Sequence, residues 1–142
     1  MKTLELLNGD FVIGQGGFVM IEGLKKVHQD LSVLVREALG EDRFHPMWGS
    51  ILQDFVGREI GIETEADVRN EINRIIQNYM IMQTRQIQVD QTMGRRPRHK
   101  PEEIIREIRG IDIQQRNDRF NVRVKVRTSS GDELNVIRTV NL

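Results

Sequence analysis

Phe120-Asn121-Val122-Arg123-Val124-Lys125-Val126-Arg127 alternates apolar and polar side chains without a break. Successive side chains of a strand point to opposite faces. The period of two therefore predicts a strand that buries Phe120, Val122, Val124 and Val126 and wets Asn121, Arg123, Lys125 and Arg127. Ser129-Ser130-Gly131-Asp132 has the residues of a turn, and Leu134 to Val140 reads as the returning strand. Upstream, Ile111 and Ile113 supply a third strand, with Arg116-Asn117-Asp118 as the connecting turn. The C-terminus is predicted to be an antiparallel meander.

Before this meander the period changes. Leu24, Val27, Leu31, Leu34, Val35 and Ala38 recur at three- and four-residue steps, the stripe of a helix, and Gly40 is placed as its C-cap. A loop through Glu41, Asp42 and Pro46 leads to a short second helix carrying Ile51, Leu52, Phe55 and Val56. Thr64 followed by Asp67 resembles a capping box, opening a third helix with Val68, Ile72, Ile75, Ile76 and Tyr79 on one face. Residues 83–100 are rich in Gln and Arg and contain Gly94 and Pro97, which predicts a mobile linker in its second half above all. Pro101-Glu102-Glu103 then starts a short helix.

The first 23 residues read as short strands punctuated by turns. Asn8-Gly9-Asp10 is hairpin chemistry, and Gly14-Gln15-Gly16-Gly17 separates Phe11-Val12-Ile13 from Phe18-Val19-Met20-Ile21. A β-branched run follows the glycines instead of a helix N-terminus, which favours a turn over a phosphate cradle. The fold class is α+β: an N-terminal β-hairpin, central helices and a C-terminal antiparallel meander, in one domain over residues 1–142 without an internal repeat.

Composition narrows the function. The 21 basic and 21 acidic residues cancel, which argues against a nucleic-acid binder. There is no cysteine, no signal-peptide run and no apolar stretch long enough to span a bilayer, so neither a thiolate site nor a membrane is expected. His28, His45 and His99 lie apart, without metal-ligand spacing, and neither a cofactor nor a metal is expected. The acids Glu41, Asp42, Asp54 and Glu59 lie near the first two helices, but nothing in their spacing places one in an apolar pocket. Arg95 to Lys100 is a basic run without interleaved aromatic residues, the pattern of a solvated segment. Trp48 beside Pro46 reads as a packing anchor. No catalytic residue is expected.

Gly9-Asp10-Phe11-Val12, the glycine-rich turn, Gly23, Val27 with Gln29 and Leu31, then Gly40-Glu41 and Pro46 with Gly49 together resemble the baseplate wedge family of contractile phage tails. These proteins are also called sheath initiators. The match covers residues 9 to 52 and continues more loosely to the C-terminal strands. Gln29, on the first helix, is placed to hydrogen-bond a loop backbone. The family carries a Glu-Pro-Arg motif before its C-terminal strands, and Glu107-Ile108-Arg109 stands nearest to it, with Ile in place of Pro.

The resemblance implies a structural subunit of the virion, assembled in host cytoplasm into a ring of about six copies. It implies contacts with the tail sheath protein and with wedge and tube-proximal proteins, and a meander resembling the sheath's own sheet. The implied role is to nucleate the sheath by β-augmentation, with Glu107, Ile108, Arg109, Arg123, Lys125 and Arg127 in the contacts. Some members are attributed a cell-wall glycosidase activity, for which Glu41 with Asp54 would be the acid pair.

Overall fold

The computed structural model describes residues 1–55, 62–116 and 119–141. Val56, Glu59, Asn117 and Asp118 lie outside the described residues. The chain is α+β, with short N-terminal hairpins, two helices in the middle and a C-terminal antiparallel sheet.

Six two-residue strands open it: β1 (Thr3–Leu4), β2 (Leu6–Leu7), β3 (Asp10–Phe11), β4 (Ile13–Gly14), β5 (Gly17–Phe18) and β6 (Met20–Ile21). β1 pairs with β6, β2 with β3 and β4 with β5, so three extended segments close on one another in a triangle. At its centre the Glu5 N–H donates to Val19 (2.8 Å), Val12 to Glu5 (3.0 Å) and Val19 to Val12 (3.0 Å). A seven-residue recurrence underlies it, with Leu4, Phe11 and Phe18, then Leu6, Ile13 and Met20, then Gly9, Gly16 and Gly23 in equivalent places. No internal repeat was expected; the unit, one strand plus a two-residue turn, is too short to stand out from ordinary turn punctuation.

Helix α1 (Leu24–Arg36) buries Val27, Leu31, Leu34 and Val35, the expected stripe. It ends sooner than expected. Glu37 turns extended, and its carbonyl accepts the Ser50 N–H at 2.7 Å. Ala38 is therefore part of an isolated bridge to Ser50, and Gly40 is a loop residue instead of a cap. The second helix is reduced to a 3-10 turn, Leu52–Phe55, with Leu52 and Phe55 buried.

Helix α2 (Ile62–Thr92) runs 31 residues, which places Thr64 inside the first turn. At 1.5 Å per residue it is roughly 46 Å long. The helix thus takes in residues 83–92 of the linker expected over 83–100, while residues 93–98 are exposed turn and coil. Gln83 and Asp90 are buried on α2, and the chain beyond Thr92 folds back so that His99 is buried as well. Hydrophobic periodicity fails here because the buried side chains of the last three turns are polar. Pro101–Glu103 forms the expected short helix as a 3-10 turn.

The sheet consists of β7 (Ile105–Arg116), β8 (Arg119–Thr128) and β9 (Glu133–Asn141), in that order and antiparallel throughout. Phe120, Val122, Val124 and Val126 point inward onto the helices and form one core with the α1 and α2 stripes. α1 packs beneath β9 and α2 beneath β7.

Candidate interaction surface

The sheet's other face is bare of helices. Arg123, Lys125 and Arg127 stand exposed along its central strand. Asp112, Gly110 and Glu107 of β7 lie opposite them on one side, and Ile137, Asn135 and Glu133 of β9 on the other. Glu107 lies 3.2 Å from the Arg109 guanidinium and 3.7 Å from that of Arg127, and Arg109 reaches Glu133 at 3.9 Å. Residues singled out in two separate places thus meet in one ionic strip across all three strands. The four side chains are about half exposed, so each pair adds only about 0–1 kcal/mol, and the strip shapes the surface more than it stabilises the fold. Ile108 pairs with Val126 and packs against the core, so it faces away from the strip.

What holds the sheet in position was not legible as a site. Glu103 is fully buried, and its carboxylate accepts from the Met1 amine (2.5 Å), the Gly23 N–H (2.8 Å) and the Lys100 N–H (3.1 Å). Burial opposes its ionisation, but these hydrogen bonds prevail and hold the carboxyl below the usual range. Gln83 donates to the Glu103 carbonyl at 2.6 Å and accepts from the Ile105 N–H at 3.1 Å, pinning the start of β7 to α2. His99 bonds Gln86 through Nε2 (2.7 Å) and is pushed below the ordinary histidine value, chiefly by burial. Arg98 lies against Asp90 at 3.2 Å and Lys100 against Glu22 at 2.8 Å. Half of the basic run is therefore spent on folding. Only the Pro-Glu-Glu start of a helix hinted at Glu103.

The residues that carry the resemblance hold the N-terminal half together. Gln29 accepts from the Leu6 N–H and donates to the Leu4 carbonyl, both at 2.8 Å. It thereby pairs the Leu4 carbonyl and the Leu6 N–H, which flank Glu5 where β1 gives way to β2. Gly49 has φ +92°, and a Cβ there would lie 2.5 Å from the Ala38 carbonyl oxygen. Trp48 packs against the core, with the His45 ring stacked on it at 4.6 Å. Gly9, Asp10, Gly40, Glu41 and Pro46 are exposed, while Gly23 is buried beside Glu102. Glu41 and Asp54 both stand exposed to solvent. Among the described residues no three His, Asp or Glu side chains converge as metal ligands, and no helix is long and apolar enough to cross a membrane.

No protein-family model matches the sequence, and none of the curated proteins is similar to it. Among solved structures, a crystal structure from Geobacter sulfurreducens, of a protein provisionally named a tail lysozyme, superposes with a TM-score of 0.58 at 16% identity. The superposition covers 94% of this chain and 96% of that one. At such identity the likeness is one of fold, and it extends over nearly the whole of both chains.

Proposed function

We propose that this chain is a structural subunit of a contractile phage tail baseplate that nucleates the tail sheath by offering a sheet edge to the first sheath ring. The observation that carries the reading is the C-terminal sheet itself. It is three long antiparallel strands, backed by helices on one face and bare on the other, with both outer strands unpaired by any further strand among the described residues. Main-chain groups on such an edge bind an incoming strand, and side-chain alternation sets its register. The whole-chain fold likeness to a protein named for a phage tail supports placing that edge in a tail. In this reading the chain has no catalytic role, lies in a ring of about six copies beside the wedge and tube-proximal proteins, and binds neither nucleic acid nor membrane.

Electron microscopy of tails assembled without this protein tests the role. Tubes lacking sheath, or baseplates without attached sheath, are the expected result, and normally sheathed tails would remove the proposal. The neighbour's name favours one rival, a cell-wall glycosidase. That reading requires two acids facing across a cleft, for which Glu41 and Asp54 are the pair to test. Peptidoglycan release by the isolated protein, lost in Glu41→Gln, would establish it.

A further inference from the structure

The two edges of the C-terminal sheet are not equivalent. β7 carries two register irregularities, between Ile105 and Glu107 and between Ile108 and Gly110. The Arg69 guanidinium of α2 also donates to the Ile111 carbonyl of β7. Bulges and covering side chains are ways in which an edge strand refuses another strand. β9 has neither device. Its nine residues pair with β8 in unbroken register, it contains no proline, and Ile137 stands 61% exposed on its outer face. Among the described residues, no hydrogen bond from outside the sheet reaches its backbone.

The inner side of that open edge has a distinctive chemistry. Next to Arg138 lies a cavity of about 330 Å³ between α1 and the Asn8–Gly9 turn. Lys25, His28, Arg36 and Arg138 line it, and the one carboxylate of its lining, Glu5, is already held by Lys25 at 2.5 Å. Neither Arg36 nor Arg138 has a carboxylate partner among the described residues. Arg138 lies opposite Val122, on the inward side of its strand. A strand added to β9 would set an inward side chain about 5 Å from Arg138, over this cavity.

We infer that β9 is the accepting edge, and that the extended segment it takes, from a different polypeptide, carries an aspartate or glutamate inward beside Arg138, received by Arg138 and Arg36. The inference rests on the strand-addition reading above and adds which edge is used and what chemistry selects the strand. A second copy pairing through its own β9 does not fit. Among the described side chains of β9 the inward ones are Leu134, Val136 and Arg138, so two β9 strands side by side would bring no described carboxylate to the cations.

The probe is a synthetic acetylated peptide of alternating valine and threonine with one central inward aspartate, added to the intact protein and followed by amide hydrogen exchange. Protection is expected at β9 and not at β7. Replacing the aspartate with lysine should weaken binding at least tenfold, a comparison that leaves the protein unaltered. Arg36→Gln/Arg138→Gln should bring the two peptides within about twofold of each other, with the unfolding midpoint measured alongside. Protection at β7, equal binding of both peptides, no binding, or concentration-dependent protection of β9 without peptide would each overturn the inference. The assay needs no tails. Selective binding at β9 together with normally sheathed tails would sink the baseplate role and leave the edge standing, and the reverse pair of results would do the opposite.

Discussion

Gly49 shows how one backbone position can decide a junction. The Glu37–Gly40 and Trp48–Ser50 segments approach so closely that any β-carbon at position 49 meets a carbonyl, in a left-handed conformation that L residues resist. Gly49→Ala is expected to destabilise by at least about 2 kcal/mol, read from urea unfolding. His99 makes a prediction in pH. Buried and held mainly neutral, it takes a proton more readily in the unfolded chain than in the native one. Stability should therefore fall as pH drops below the ordinary histidine value of about 6.5. The depressed carboxyl of Glu103 adds a further loss below about pH 4.3, since it binds its proton more readily once unfolded. Unfolding free energies of His99→Gln, measured from pH 7 to pH 5, should show a flatter slope than wild type.

At the scale of elements, α2 determines how the chain is divided. Its last three turns are held by Gln83 and Asp90, both buried, and the return segment is latched where Asp90 accepts from Arg98 side chain and backbone. Asp90→Ala should free that segment without unfolding the core. Limited trypsin digestion would show it as faster cleavage after Arg98, at least several-fold, with circular dichroism unchanged. The first turns of α2 were legible because Val68, Ile72, Ile75, Ile76 and Tyr79 keep helical period. The rest was not, because a buried amide and a buried carboxylate are indistinguishable in sequence from solvated ones until their partners are known.

For the whole molecule, the helices act as a platform that leaves one sheet face and one sheet edge open. Of the exposed cations Arg123, Lys125 and Arg127, the last joins the ionic strip through a half-exposed pair with Glu107 that contributes little to stability, and the other two stand beside it on the same face. Arg123→Gln/Lys125→Gln/Arg127→Gln should unfold within about 2 kcal/mol of wild type. In the baseplate role, tails assembled with this variant should lose sheath attachment in electron micrographs.

Local period and turn chemistry by themselves determined the α+β class, the inward residues of β8, the α1 stripe and the meander. Each is written in neighbours a few residues apart, and the side-chain periods of strand and helix differ enough to be told apart. Gln29 was marked as a residue free to bond a loop, but only the folded chain brings Leu4 and Leu6 to it. The same holds for the Glu107–Arg109–Arg127–Glu133 strip, the Glu103 cluster and the difference between the β7 and β9 edges. These depend on strand register and on contacts across many tens of residues, where chain closure and not local preference decides which groups meet.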